Sequence, residues 1–225
     1  IQIILSTISV YLFYKINQRF FSDRICLINS LIFSLFPLNI YAAGQISSVT
    51  LQIFLSLLFL LSVFNLSEAK TKKNFLIFSL ISGLSILARG EFIFIYVITL
   101  MYFLLKNKIR VVYLVITILL TVSVIFPYLI RNYITFNQIV LVKSFGYNLW
   151  KGNNELSSVE GNSSIDDPNF ENLKYKLEIL TKDNFYELNR DNIFLKEAIN
   201  NLNKDPLNYF NLFIKKAFSF YFVDL

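Results

Sequence analysis

Histidine is absent from the 225 residues of this sequence, and cysteine occurs only once. Without histidine, the chain forms neither a Ser-His-Asp nor a Cys-His nucleophile, and it has no HExxH zinc motif. The single thiol, Cys26, excludes an internal disulfide and a cysteine-ligated metal cluster. Cys26 lies in an apolar run, which predicts that it packs as a small buried hydrophobic side chain. We assign no cofactor and no metal ligand to these residues.

Charged residues are also scarce. They make up 16% of the chain, compared with about 25% in average globular proteins. Hydrophobic residues reach 55% and aromatic residues 17%, whereas glycine occurs 6 times and proline 4 times. This composition excludes an ordinary soluble domain and predicts an all-α polytopic membrane protein. The net charge of +6 comes from short loops between apolar runs, so it does not indicate a nucleic-acid partner.

About six membrane segments are predicted in residues 1–130, which would form a transmembrane helix bundle. A helix that crosses the bilayer needs about 20 residues. The run 75–105 is divided by Arg89-Gly90-Glu91. Two short helices joined at this turn keep both charges out of the bilayer centre, where each would cost about 2.5–3.5 kcal/mol. The predicted segments are 1–14, which is incomplete, 25–43, 49–66, 75–88, 92–105 and 111–130.

The charges between the apolar runs predict their orientation. Loops 15–24, 67–74 and 106–110 are rich in lysine and arginine, whereas the alternate loops 44–48 and 89–91 carry almost none. The positive-inside rule then places the basic loops in the cytoplasm. The chain from residue 131 onward therefore begins on the outer face.

Residues 131–205 are predicted as an outer-face (periplasmic) loop and amphipathic helical region. The stretch 157–169 is rich in Ser, Asn and Asp and predicts a loop. The stretch 185–202 has a three- and four-residue repeat that predicts a helix. Its predicted stripe consists of Phe185, Leu188, Asn192, Leu195, Ile199 and Leu202.

Residues 206–225 are predicted as an interfacial or membrane-entering helix. Asp205 supplies an N-cap, and Pro206 suits the first turn. Lys215 and Lys216 interrupt the apolar side of this helix, which favours a position on the outer leaflet over a buried span.

Charges next to membrane segments are candidates for function. Arg89 and Glu91 come first, because a planar guanidinium donates to two oxygens of a phosphate, such as that of a lipid carrier. The alternative is an internal Arg–Glu turn that reaches the headgroups. Arg131 and Asn132 follow Pro127 at the outer end of a span, where an ordinary interface anchor is the alternative.

Residues 146–154, Gly-Tyr-Asn-Leu-Trp-Lys-Gly-Asn-Asn, are the third candidate. Aromatic faces and carboxamides suit sugar recognition, because rings stack on the apolar faces of sugars and amides bind hydroxyls directionally. The alternative is an ordered turn that packs against the membrane face. The predicted substrate-binding side chains of this motif are those of Tyr147, Asn148, Asn153 and Asn154.

Three motifs, in this order, resemble the integral-membrane glycosyltransferases of the dolichyl-phosphate-mannose protein mannosyltransferase type, which are bacterial GT-C enzymes of glycosyltransferase family 39. Leu87-Ala88-Arg89-Gly90-Glu91 is similar to the family's L-x-R-x-E turn. Residues 127–133 are similar to P-W-x-x-R-N-Y, with Tyr128 in the place of tryptophan, and residues 146–154 match G-Y-N-L-x-x-G-N-N. The resemblance covers about 25–225, and it implies a GT-C-like helix bundle.

The resemblance implies transfer of a sugar, with inversion, from a polyprenyl-phosphate carrier to a lipid or protein acceptor on the outer face of the bacterial inner membrane. It makes Arg89 and Arg131 phosphate-side residues and residues 146–154 a structural or sugar-side element. The catalytic acidic residue is expected on a first outer loop before Ile1, so we expect this fragment to be inactive alone. Val49 stands where the family usually carries glutamate.

Two other classes of function stay open at this point. A transporter or flippase of lipid-linked or anionic substrates would also use helix pairs with a charge at the turn. Such a protein should contain related halves, but the sequence has no internal repeat and has a long outer region instead, which favours the enzyme. The second alternative is a noncatalytic membrane scaffold, in which the suitability of residues 146–154 for sugar binding would be accidental.

Overall fold

The computed structural model describes residues 1–106 and 110–221, and these residues form helices and connecting turns without a β-strand. The prediction of an all-α membrane protein is confirmed. Lys108 of the basic loop and residues 222–225 of the predicted last segment lie outside the described residues. The helices are α1 (Gln2–Asn17), α2 (Asp23–Leu35), α3 (Pro37–Gly44), α4 (Val49–Glu68), α5 (Lys72–Ala88), α6 (Phe92–Leu105), α7 (Val111–Phe136), α8 (Phe145–Gly152), α9 (Glu171–Glu178), α10 (Tyr186–Lys204) and α11 (Pro206–Tyr221), with a 3₁₀ turn at Pro168–Phe170.

The described chain divides into two compact units, one from Ile1 to Arg131 and one that begins at Asn132. Two helices are each long and apolar enough to cross a bilayer: α4, with 20 residues and a mean hydropathy of 2.1, and α7, with 26 residues and a mean hydropathy of 2.3. Helices α1, α5 and α6 are shorter, at 16, 17 and 14 residues. That about six segments enter the membrane stays a prediction.

The predicted span 25–43 is not one straight helix. Helices α2 and α3 meet at a bend of 52°. Proline disfavours the helical conformation in the residue before it, and Phe36, which precedes Pro37, is extended with φ −64° and ψ 120°. Together, α2 and α3 qualify as one further span that is broken in the middle.

Helices α5 and α6 form the predicted hairpin. The ring centroid of Phe78 in α5 lies 5.9 Å from that of Tyr96 and 6.2 Å from that of Phe103, both in α6. At 1.5 Å per residue, a continuous helix would separate Phe78 from Phe103 by about 37 Å. The chain therefore reverses at residues 89–91, and the prediction of two helices is confirmed.

Helix α7 packs against α5 and runs in the same direction. The rings of Phe75 and Tyr113 stack with their centroids 5.2 Å apart, and further along Gly83 lies opposite Val124. A Cβ added at Gly83 would be 2.7 Å from the Val124 Cβ, so the glycine allows a close approach of the two backbones. This contact fixes the register of α5 against α7.

The second unit is built around Trp150, the only tryptophan of the chain, which has no exposed surface. Its ring centroid lies 5.2 Å from that of Phe170 and 5.0 Å from that of Phe194. Leu173 and Ala198 complete this core. The second unit therefore has a hydrophobic core of its own.

The predicted helix at 185–202 is confirmed as α10, but of the predicted stripe only Leu188 is buried. The side of α10 that is buried carries Leu188, Phe194 and Ala198. Phe185 and Ile199 of the predicted stripe remain 39% and 44% exposed. The buried face is displaced because α10 packs Phe194 and the small Ala198 against the Trp150 core.

Candidate functional site

Arg89 lies at the turn between α5 and α6, and two side chains orient it. Its Nη1 donates a hydrogen bond of 2.6 Å to Oε1 of Gln52, and its Nε lies 3.5 Å from Oε2 of Glu91. The Arg89 side chain stays 53% exposed. An exposed ion pair of this kind contributes little stability, so its effect is to orient the guanidinium. In the part of the chain that the structure describes, the guanidinium has no further partner.

Gln52 is a site residue that the sequence did not predict. It lies in the first turns of α4, three residues after Val49. Residues three apart on a helix are neighbours, so the Val49 position lies one turn from the partner of Arg89. An amide within an apolar helix is the signal that could have revealed Gln52.

Arg131 lies inside α7 rather than after its end. Gly83 of α5 lies opposite Val124 of α7, and the two helices run in the same direction. Arg89 follows Gly83 by about 9 Å along the axis, and Arg131 follows Val124 by about 10.5 Å, at 1.5 Å per residue. Both arginines therefore lie at the same end of the first unit and at nearly the same level.

Asn132 begins the second unit and is 1% exposed. Its Nδ2 donates a hydrogen bond of 2.7 Å to the carbonyl oxygen of Val140. This bond ties α7 to the segment that follows it. The contact makes Asn132 a structural residue in the described conformation.

Residues 145–152 fold as α8, so this stretch is a short helix and not the ordered turn given as the alternative. The carboxylate of Asp191 in α10 accepts hydrogen bonds from the backbone nitrogens of Gly146 and Tyr147, at 2.9 and 2.8 Å. A carboxylate at a helix N-terminus stabilises the helix because it satisfies unpaired N–H groups and opposes the helix dipole. Asp191 was not predicted, since it is 45 residues away from Gly146 in the sequence.

Most of the predicted side chains of this motif contact the protein itself. Asn154 is 1% exposed, and its amide bonds the carbonyl oxygen of Asn162 at 2.7 Å. The Nδ2 of Asn153 donates to Leu149 at 2.8 Å, and the ring of Tyr147 lies 5.1 Å from that of Phe194. Asn148 is exposed. Trp150 is fully buried, so it offers no ring face for a sugar.

The eight predicted site residues are thus divided between the two units. Arg89, Glu91 and Arg131 belong to the first unit and share one end of it. The other five belong to the second unit, and they are Asn132, Tyr147, Asn148, Asn153 and Asn154. All of these except Asn132 lie in α8 or directly after it.

The fold defines a helical integral membrane protein, with two arginines at one end of its first unit. A family model described as dolichyl-phosphate-mannose-protein mannosyltransferase matches residues 1–130. The chain belongs to this family, whose members are membrane glycosyltransferases of the GT-C type. No curated protein and no solved structure matches the chain. The family resemblance is confirmed over residues 1–130, which include the turn at Arg89. Membership of this family favours the enzyme over a transporter or flippase.

Proposed function

We propose that the protein transfers a sugar from a polyprenyl-phosphate carrier to a lipid or protein acceptor on the outer face of the bacterial inner membrane. The observation that carries this proposal is the position of Arg89. Its side chain is oriented by Gln52 and Glu91 and is 53% exposed. The family in general uses polyprenyl-phosphate sugar donors and acceptors in the membrane.

In this proposal, Arg89 and Arg131 bind the phosphate of the donor as the bond to the sugar breaks. Cationic groups placed where negative charge develops lower the barrier to departure of the phosphate. Glu91 orients Arg89. A carboxylate would activate the acceptor as general base.

Within the second unit, taken by itself, we assign α8 to contacts with a sugar. Asn148 is the exposed amide of α8 and the residue we assign to a direct hydrogen bond with a sugar hydroxyl. Asn132, Tyr147, Asn153 and Asn154 hold the backbone around it through the contacts described above.

Arg89→Ala tests the donor site. In membranes that contain the protein expressed from its natural start codon, we expect transfer of labelled mannose from polyprenyl-phosphate mannose to fall about 100-fold or more, because a charge-stabilising donor is lost. Membrane insertion and thermal stability should stay near those of the parent protein, since the Arg89 side chain is exposed.

Arg24→Ala is the matched control, because Arg24 is an exposed arginine of α2 in a predicted cytoplasmic loop. This variant should keep its transfer rate. Normal turnover by Arg89→Ala would remove Arg89 from the mechanism, and the absence of transfer by the parent protein with any polyprenyl-phosphate sugar would refute the proposed function.

A further inference from the structure

The second unit contains a cleft between α11 and the turn that follows α8. Its volume is about 280 Å³. One wall is a single face of α11, since its lining residues are spaced three and four apart along the helix. Its polar lining includes Glu155, Ser158, Asn208, Tyr209, Asn211 and Lys215.

Tyr209 is the first sign that this cleft binds a ligand. The side chain is only 7% exposed, and its hydroxyl has no hydrogen-bond partner among the described residues. Burial raises the pKa of Tyr209, and the nearby carboxylates of Glu155 and Asp205 raise it further. The ring of Tyr209 is buried, whereas its hydroxyl oxygen reaches the surface of the cleft. The hydroxyl can therefore form a hydrogen bond with a polar group of a ligand in the cleft.

The other polar groups of the cleft are also free. In the part of the chain that the structure describes, the side-chain amides of Asn208 and Asn211 form no hydrogen bond. A carboxamide both donates and accepts, as does the hydroxyl of Ser158, and this is the pattern that matches the hydroxyl groups of a sugar. Val159 and Leu212 add apolar surface for the C–H groups of the ring.

The charges of the cleft disfavour a phosphate. Glu155 and Lys215 contribute one charge of each sign, and Glu155 is also paired with Lys204 at 3.4 Å. A phosphate site would instead collect arginine or lysine side chains. The volume lies just below the range of about 300–1,000 Å³ for ligand sites, which suits a group as small as one sugar residue.

We propose that this cleft binds one neutral saccharide unit of the acceptor. The assignment of the sugar to the acceptor, rather than to the donor, rests on the proposed function. The outward face of α11 supports a position beside the membrane, since Phe210, Phe213 and Phe218 are 59%, 66% and 64% exposed. An amphipathic helix with such a face lies along a bilayer surface, where a membrane-bound acceptor would present its sugar.

Binding of methyl α-mannoside and methyl β-glucoside tests the cleft directly. The protein, expressed from its natural start codon, is placed in lipid nanodiscs free of sugar detergents, and binding is followed by saturation-transfer NMR. We expect binding by the parent protein and about tenfold weaker binding by Tyr209→Phe, which removes one hydrogen bond and keeps the ring. Asn211→Ala should weaken binding similarly.

Tyr175→Phe and Asn192→Ala are the matched controls, because both residues are exposed and lie outside the cleft. They should bind like the parent, as should Arg89→Ala, which alters only the donor site. Thermal unfolding at the parent temperature verifies that Tyr209→Phe is folded. The inference is overturned if neither glycoside binds, if Tyr209→Phe binds as tightly as Tyr175→Phe, or if inorganic phosphate displaces the sugar.

Transfer kinetics separate this inference from the proposed function. Tyr209→Phe should raise the KM for the acceptor and leave both kcat and the KM for the donor unchanged. A parent protein that transfers sugar but binds no glycoside overturns the cleft alone. A parent protein that binds the glycoside at the cleft but transfers nothing overturns the proposed function and leaves the saccharide site supported.

Discussion

Gly146 decides how closely α8 can approach α10. A Cβ at this position would lie 2.1 Å from the carbonyl oxygen of Asp191 and 2.8 Å from the backbone nitrogen of Leu195. Both neighbours are backbone atoms of a helix, so neither can rotate away. The same approach brings the Asp191 carboxylate within reach of the first N–H groups of α8.

Gly146→Ala should therefore destabilise the second unit by about 3 kcal/mol, at the upper end of the usual cost of overpacking. The fluorescence of Trp150 reports the unfolding, because this single tryptophan is buried at the centre of the unit. We expect its emission to shift to the red at a lower temperature than in the parent protein.

The control is Gly152→Ala at the other end of α8. A Cβ there would meet Nζ of Lys216 at 3.4 Å, which is the movable end of a long side chain. This variant should unfold close to the parent temperature. Equal unfolding temperatures for the two alanine variants would contradict the close packing of α8 on α10.

At the level of elements, the register of α5 against α7 depends on one small residue. Gly83 lies against the Cβ and Cγ1 of Val124, each 2.7 Å from the position of an added Cβ. On helix propensity alone, alanine would be better than glycine by about 0.8–1.0 kcal/mol. Whether Gly83→Ala raises or lowers the free energy of unfolding therefore tests the contact between α5 and α7.

Gly83→Ala should destabilise the first unit by about 1–3 kcal/mol despite this propensity. Adding Val124→Gly to Gly83→Ala should restore most of the lost stability, because it removes both of the overlapping atoms of Val124. Adding Val124→Ala should restore less, because the Cβ at position 124 still overlaps with the new methyl group. Unfolding of the purified protein in mixed micelles gives the stabilities of the parent, the two single variants and the double variant, which together form a double-mutant cycle.

Gly44→Ala in α3 serves as the control, since nothing lies within 4 Å of its added Cβ. This change should be neutral or slightly stabilising. Stabilisation by Gly83→Ala would show that α5 and α7 do not pack with Gly83 opposite Val124. The conclusion that Arg89 and Arg131 lie at the same level would then no longer follow.

Helix ends were predicted where the signal is local. Asp205 and Pro206 predict the start of α11, and Asp205 Oδ1 accepts a hydrogen bond of 3.1 Å from the backbone nitrogen of Asn208. The end of α5 at Ala88 was also predicted from adjacent residues, because the charged turn at 89–91 interrupts the apolar run. Pro37 carries an equally local signal, yet its bend was missed because the apolar run continues through it.

For the whole molecule, the orientation in the membrane is the prediction that most needs a measurement. We expect the basic loops in the cytoplasm and the second unit outside. In a Cys26→Ala background, a cysteine at Ser163 should react with a membrane-impermeant maleimide on intact cells. A cysteine at Lys70 should react only after permeabilisation. Both positions are exposed, so access depends on the side of the membrane.

Two results would count against this orientation. The first is labelling of the Lys70 position on intact cells, and the second is protection of the Ser163 position until the membrane is opened. The parent protein supplies the background, because Cys26 is fully buried and should stay unlabelled.

The sequence by itself determined the helical class, the membrane setting, the turn at Arg89 and the family. These properties depend on composition, on apolar run length and on motifs of a few adjacent residues, which act locally along the chain. Only the tertiary structure decided which face of α10 is buried, that α8 is a helix, and that Gln52 holds Arg89. Each of these depends on residues distant in sequence, such as Asp191 and Gly146, whose contact exists only once the helices pack.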